Sequence, residues 1–304
     1  MEERLNLSTN FITPEQTQKG RGLTRKLGEL SANQLLLITE TETPEQLSNT
    51  AHLTVRPDYS EGRRESFFGV WFADMTMHGK GGSEDDTLAR QPVAIKPLDI
   101  PRLAAQELRT ATDINGHDQR RLTFQPIGFA NIGRSDSSSS KLSIITEFEE
   151  GVTSFDNVLY KDKGEDDNEK LDDDTVAWAL GCAARGLIIL HGLGYEHGDY
   201  QVQNTAYDTG LQPRIIDITG AIKRYDPLSF SGDLKIYIGS LSDFDTRKPV
   251  ASKEQVLDCF LAPYREEIPN MFPRDHLQRE MHNAVDCIAA TIDDILSPSG
   301  DNKA

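Results

Sequence analysis

Short apolar runs separated by polar segments dominate the chain between residues 51 and 150. Runs rich in β-branched and aromatic residues are typical of β-strands. They predict strands at HLTV, SFFGVWFADM, PVAIKPL, LTFQPIGFA and KLSIITEF. One helix is predicted at Arg102–Ile114, where apolar residues recur at helical spacing. The segments MHGKGGSEDDTLARQ and GRSDSSSS are rich in glycine, serine and charge, and predict surface loops.

After Gly151 the apolar pattern takes on helical periods. DTVAWALGCAARGLIILHGLGY predicts a long helix with Asp174 as its N-cap, and RDHLQREMHNAVDCIAATIDDIL predicts a second helix with one apolar face. A strand-rich half followed by a helix-rich half predicts an α+β protein with two lobes. The predicted divisions are an N-terminal extension (1–50), a strand-rich lobe (51–150), a helical lobe (151–296) and a tail (297–304).

Composition narrows the possible functions. The 304 residues are 37% apolar and 27% charged, as in an ordinary globular protein. A formal net charge of −17 argues against binding to nucleic acid, which needs a basic face, and against adhesion to an anionic membrane. Cys182, Cys259 and Cys287 show no paired spacing and are predicted to be buried free thiols. The start of the chain carries no apolar signal core, so we expect a cytoplasmic protein.

The stretch HGDYQVQNTAYDTGLQPRIIDITG, residues 197–220, concentrates the chemistry. Asn204 follows Asp199 by five positions, and Asp217 ends the apolar run of Ile215 and Ile216. Mg²⁺ prefers one or two carboxylates together with phosphate oxygens. Asp217 and Asn204 can supply oxygen ligands to metal, and Asp199 can accept a proton from a hydroxyl nucleophile. The pattern therefore indicates metal-assisted phosphoryl transfer.

These motifs resemble those of the protein-kinase-like superfamily. His197-Gly198-Asp199 with Asn204 resembles the catalytic loop H-R-D-L-x-x-x-N, and the residues around Asp217 resemble the metal-binding D-F-G region. Val93-Ala94-Ile95-Lys96 is similar to the V-A-I-K strand. The resemblance covers about residues 55–245 in the family's order, and it implies the two-lobed kinase-like fold.

The resemblance implies ATP and Mg²⁺ as ligands and assigns a role to each matching residue. Asp199, Lys96 and Asn204 would be catalytic, and Asn204 and Asp217 would bind metal. The nucleotide would be bound by Lys96, by its ion-pair partner Glu107, by the glycines Gly62 and Gly69, and by Thr146, Glu147 and Phe148 at the gatekeeper and hinge. A solvated strand-end lysine, a solvated helical glutamate and turn-forming Asp and Asn are the structural alternatives.

Several departures from the family pattern leave the acceptor open. The glycine loop keeps only Gly62 and Gly69, Gly198 replaces the arginine, no A-P-E follows, and Gln201 stands where Ser/Thr kinases usually carry lysine. A kinase for a protein Ser/Thr hydroxyl is the leading expectation. A small-molecule kinase and a non-catalytic kinase-like module are the alternatives. The acidic stretch 161–174 favours a basic or neutral acceptor.

Overall fold

The computed structural model describes residues 4–6, 50–55, 71–78, 87–97, 101–117, 122–124, 126–133, 140–149, 151–160, 172–242 and 249–296. The predicted glycines Gly62 and Gly69 and most of the acidic stretch lie outside these residues. Helices and strands are mixed along the chain, which confirms the α+β class. The chain divides into two compact units, one from Met1–Asp113 and Phe124–Glu150, the other from Ile114–Thr123 and Gly151–Ala304.

Within the described residues, the first unit contains a six-stranded antiparallel sheet of order β1-β2-β3-β4-β6-β5. Its elements are β1 (Arg4–Asn6), β2 (Thr50–Val55), β3 (Trp71–His78), β4 (Thr87–Pro97), α1 (Pro101–His117), β5 (Pro126–Gly133) and β6 (Ser140–Glu147). In the register, Lys96 of β4 lies opposite Ile144 of β6. Val93, Ile144 and Ile145 are buried, so the apolar side chains of these strands form the core of the sheet.

The loop predicted between β3 and β4 is shorter than expected. Met77 and His78 belong to β3, and Thr87–Gln91 belong to β4, where Ala89 and Arg90 lie opposite Met77 and Thr76. Antiparallel pairing supplies every second residue with backbone hydrogen bonds regardless of its side chain. The polar flanks of the loop are therefore extended strand, and only residues 79–86 separate the two strands.

The second unit is mainly helical and carries two small sheets. Its helices are α2 (Phe155–Leu159), α3 (Asp173–Gly192), α4 (Pro227–Ser240), α5 (Lys253–Val256), α6 (Ala262–Met271), α7 (Asp275–Ala290) and α8 (Ile292–Leu296), with a π-helical turn at Leu257–Leu261. Its strands are β7 (Thr153–Ser154), β8 (Tyr195–Glu196), β9 (Thr205–Tyr207), β10 (Pro213–Ile215) and β11 (Ile222–Lys223). Strands β9 and β10 form an antiparallel hairpin, β7 pairs antiparallel with β9, and β8 pairs antiparallel with β11. Strands β8 and β9 flank the polar loop 197–204.

Helix α3 is the central helix of this unit. Its N-cap is Asp172, whose side chain accepts hydrogen bonds from the backbone N–H groups of Asp174 and Thr175. The sequence prediction of Asp174 as N-cap is wrong, because Asp174 already lies inside the first turn. Helix α3 is long and apolar enough to cross a membrane by length and hydropathy alone. However, 56% of its apolar 18-residue stretch is buried inside the protein. That burial is typical of the core helix of a globular domain.

Two further sequence expectations need correction. The last predicted helix is broken at Thr291, which is the C-cap of α7. The backbone N–H of Thr291 donates to the carbonyls of Cys287 and Ile288. Among the cysteines only Cys182 is buried; Cys259 is half-buried and Cys287 is exposed. Cys287 lies on the solvent side of the amphipathic α7, away from the buried Met281, Val285 and Ile288.

Candidate active site

The first unit contains a lysine–glutamate pair. Lys96 lies near the end of β4, and Glu107 lies on α1. The Nζ atom of Lys96 is 3.2 Å from Oε2 and 3.5 Å from Oε1 of Glu107, with side chains only 16% and 8% exposed. A charge pair so far removed from water holds its two members in one geometry, because separating them would leave a buried charge without a partner. The ion-pair partner expected from the resemblance is therefore in contact with Lys96.

The three residues expected at the gatekeeper and hinge lie at the end of β6. Thr146 and Glu147 lie opposite Ala94 and Val93 of β4, and both are half-buried. Phe148 is buried, and its backbone N–H donates to the carbonyl of Pro92 at 3.0 Å. These contacts join the end of β6 to the strand that carries Lys96.

The second unit brings Asp199 and Asn204 into direct contact. The side-chain Nδ2 of Asn204 donates to the backbone carbonyl of Asp199 at 2.8 Å and to its Oδ2 at 3.1 Å. A short 3₁₀ turn, Val202–Asn204, returns the chain towards Asp199 and makes this contact possible. With Nδ2 turned to Asp199, the Oδ1 of Asn204 accepts no hydrogen bond from the described residues and can serve as an oxygen ligand.

Asp217 lies beside this loop on a tight turn. Its Oδ1 accepts hydrogen bonds from the backbone N–H of Thr219 at 2.9 Å and from the hydroxyl of Thr219 at 2.7 Å. The backbone N–H of Ile216 donates to the carbonyl of Asn204 at 2.9 Å, which ties the two segments together. The carboxylate of Asp217 is thus held in a fixed orientation by Thr219, as a metal ligand requires, and the backbone beside it is tied to Asn204.

His197 is buried between the two segments. Its Nδ1 accepts a hydrogen bond from the backbone N–H of Asp199 at 3.2 Å, so the neutral ring carries its proton on Nε2. Nε2 makes no hydrogen bond of ordinary geometry. The Asp217 backbone is nevertheless close enough to raise the pKa of His197, against the effect of burial. Burial lowers the pKa of His197 despite the nearby carboxylates. The ring therefore orients the loop and remains neutral.

The backbone of the loop is anchored by Asp233 of α4. Its Oδ2 accepts the N–H of His197 at 2.7 Å, and its Oδ1 accepts the N–H of Gly198 at 2.8 Å. Oδ2 also contacts Nε2 of His191 at 3.0 Å, and Nδ1 of His191 bonds the hydroxyl of Tyr264. All three of these side chains are buried. This chain of contacts connects α6, α3 and α4 to the residues next to Asp199.

The ionisation of this buried network follows from the same contacts. Burial alone would raise the pKa of Asp233, but hydrogen bonds from His191 and from the two amides outweigh it, so this pKa lies below its usual value. Burial lowers the pKa of His191, and the Asp233 carboxylate only partly compensates. Asp233 is therefore ionised and His191 neutral near neutral pH. The anchor is a charge-assisted set of hydrogen bonds.

Asp233, His191 and Tyr264 were missed by the sequence interpretation. Asp233 is a single acid in the apolar stretch FSGDLKIYIG, and His191 ends the apolar run GLIIL. A polar residue on the buried face of an otherwise apolar helix is the signal that would have found both.

Within the described residues, no group of three or more His, Cys, Asp and Glu side chains is arranged to hold a metal ion. Asn204 and Asp217 form a smaller oxygen set, which suits an ion that completes its coordination with phosphate oxygens. The chain matches no known protein-family model and no curated protein sequence.

Proposed function

We propose that the protein is an ATP- and Mg²⁺-dependent phosphotransferase with the two-lobed protein-kinase-like fold. The observation that carries this proposal is the group formed by Asp199, Asn204 and Asp217. Asp199 and Asn204 are hydrogen-bonded to each other, and the backbone next to Asp217 is hydrogen-bonded to Asn204. A base next to two oxygen ligands is the arrangement that phosphoryl transfer to a hydroxyl requires.

In this proposal Asp199 is the general base. Its carboxylate accepts the proton of the acceptor hydroxyl while the acceptor oxygen forms a bond to the γ-phosphorus of ATP. The bond between the γ-phosphorus and the bridging oxygen breaks, and ADP leaves with that electron pair. A positioned base of this kind contributes about 10²–10⁴-fold to the rate.

Asn204 and Asp217 are the proposed metal ligands. Asn204 would offer Oδ1, and Asp217 would offer its carboxylate, whose orientation Thr219 fixes. When bound, Mg²⁺ neutralises charge on the phosphate oxygens. The neutral amide and the single carboxylate leave coordination positions for those oxygens and for water.

Lys96 is the proposed phosphate ligand of the first unit. The 3.2 Å contact with Glu107 holds its ammonium group in place and reduces the side-chain freedom that phosphate binding would otherwise cost. Thr146, Glu147 and Phe148 would receive the adenine, in the places that the resemblance assigns to them. The chain keeps all four of the proposed key residues, Lys96, Asp199, Asn204 and Asp217. A non-catalytic module would not need all four, which argues against that alternative.

The length of the segment after Asp217 bears on the nature of the acceptor. Only residues 218–226 separate Asp217 from α4, and they contain β11 paired back onto β8. A segment this short offers little surface to hold an extended peptide. It favours a small-molecule hydroxyl as second candidate beside the protein Ser/Thr hydroxyl expected from the sequence.

The test is transfer from γ-labelled ATP by the purified protein with Mg²⁺. Label should leave ATP in the wild type, at least about 10²-fold more slowly in Asp199→Asn, and more slowly in Lys96→Met. Separating protein-bound from small-molecule label after incubation with a cell extract decides between the two acceptors. A wild type that binds Mg²⁺–ATP but transfers label to neither fraction would refute the enzymatic function and support the non-catalytic alternative.

A further inference from the structure

Gln201 is held between two residues that are themselves fixed in the core. Tyr200 is buried, and its hydroxyl donates to the carbonyl of Ala183 at 2.7 Å. Val202 is also buried, and its backbone N–H donates to the hydroxyl of Ser240 at 3.0 Å. Anchors on both sides fix the backbone of Gln201. Its side chain therefore leaves the loop in a defined direction.

That direction brings the Gln201 carboxamide to Asp199. Nε2 of Gln201 donates to Oδ1 of Asp199 at 2.6 Å, while Asn204 donates to Oδ2 at 3.1 Å. Each oxygen of the carboxylate thus has its own amide donor. Among the residues that the structure describes, no lysine or arginine lies within ion-pair distance of Asp199. Two neutral donors hold this carboxylate.

We infer that Gln201 is a positioning residue, which fixes the orientation of the Asp199 carboxylate without neutralising its charge. This inference rests on the proposed function, in which Asp199 is the base. A carboxylate held at one oxygen only is free to rotate about its last side-chain bond. Fixing both oxygens keeps one lone pair directed at the acceptor hydroxyl, and small errors in such alignment cost large factors in rate.

The solvent-exposed setting of this contact argues for a role beyond stability. The hydrogen bond between Gln201 and Asp199 lies at the surface, where such bonds contribute little to the free energy of folding because water competes for both groups. In the part of the chain that the structure describes, Gln201 makes no hydrogen bond to Asp217 or to the proposed metal-binding oxygen of Asn204. Its loss should therefore change turnover and leave nucleotide binding unchanged.

The kinetic test compares two near-isosteric variants with a matched control. Gln201→Met removes the donor and should lower kcat about tenfold with KM for Mg²⁺–ATP unchanged. Gln201→Glu places a second carboxylate beside Asp199 and should lower kcat further. Gln203→Met, at an exposed glutamine two residues on, should match the wild type. Unchanged kcat in both Gln201 variants would overturn the positioning role.

A second measurement does not depend on activity. The side-chain amide protons of Gln201, assigned by their absence in Gln201→Met, should resonate away from those of Gln203 in a nitrogen–proton correlation spectrum. They should move to the exposed position in Asp199→Ala. Signals already at the exposed position in the wild type would overturn the inference. A wild type that shows the contact but transfers no phosphate would overturn the proposed function and leave the contact standing.

Discussion

Gly198, the residue before Asp199, has a backbone conformation that few other residues accept. Its φ is +81°, in the left-handed region, which costs an L side chain about 1–2 kcal/mol. A Cβ added there would meet only the carbonyl oxygen of Gly220, at 3.6 Å. Backbone conformation, and not lack of space, therefore accounts for glycine at this position. The two N–H groups that donate to Asp233 depend on this turn.

At Asp217 the account predicts loss of metal-dependent nucleotide binding. Asp217→Ala should abolish the Mg²⁺-dependent part of ATP affinity, because it removes the only carboxylate among the proposed metal ligands. The fold should remain, since the residue is half-buried on a surface turn. Isothermal titration with ATP, with and without Mg²⁺, measures this. Asp294→Ala, at an exposed acid of α8, is the control; equal Mg²⁺ dependence in the two variants would contradict the role of Asp217.

At the scale of elements, the segment between Asp217 and α4 bears on whether phosphorylation can activate the protein. Within residues 218–226 the only hydroxyl groups belong to Thr219 and Tyr225, and the Thr219 hydroxyl already donates to Asp217. Gly198 leaves no arginine side chain next to Asp199 to pair with a phosphate. We therefore expect no activation by phosphorylation in this segment. Phosphatase treatment should leave turnover unchanged, and a loss of activity after treatment would show that the expectation is wrong.

Helix α4 should contribute to stability mainly through Asp233. Asp233→Ala leaves the N–H groups of His197 and Gly198 and the ring of His191 without a buried acceptor, and should cost about 3–5 kcal/mol. Tyr264→Phe removes one hydroxyl from His191 and should cost about 1 kcal/mol. Urea unfolding measures both. Variants of equal stability would show that Asp233 is not the centre of the network.

The elements also show how much of the structure could be predicted from the sequence. Strands β4 and β6 and helix α3 were predictable, because their apolar residues follow the period of the element that buries them. The spacing of Asp199 and Asn204 placed both in one loop, where the structure brings them into contact, and their roles stay a prediction. Asp233 and His191 could have been noted as polar residues in otherwise apolar helices. Their contacts with each other, with Tyr264 and with the loop could not be predicted, because these contacts form only when α3, α4 and α6 pack together. Cys287 was misassigned because it was grouped with the apolar residues of α7, although it lies off the face formed by Met281, Val285 and Ile288.

For the whole molecule, the buried histidines predict a loss of stability in mild acid. Burial lowers the pKa of His191 and of His197 below the unfolded value of about 6.5, so the unfolded chain binds more protons in that range. Their contribution is complete above about pH 6.5 and is lost as the pH falls through the folded-state pKa. The free energy of unfolding should therefore fall as the pH decreases from about 7 through the folded-state pKa values of the two histidines.

Urea unfolding across this range, compared between the wild type and His191→Gln, tests the assignment. The variant should show a smaller decrease in stability with falling pH, even where its stability at neutral pH is lower. His276→Gln, at an exposed histidine of α7, should keep the wild-type dependence. An identical pH dependence in wild type and His191→Gln would remove His191 from this account.

The central claim is that Asp199 is the base of an ATP-dependent phosphotransferase, and the rate of ADP formation tests it most directly. The measurement is phosphorus NMR of ATP consumption by wild type and Asp199→Asn, with saturating Mg²⁺–ATP, cell extract as the source of acceptor, and the ADP formed by extract alone subtracted. The account predicts that the wild type forms ADP and that Asp199→Asn binds ATP equally well but is slower by about 10²-fold or more. Equal rates in the two proteins, or no ADP from the wild type, would contradict it.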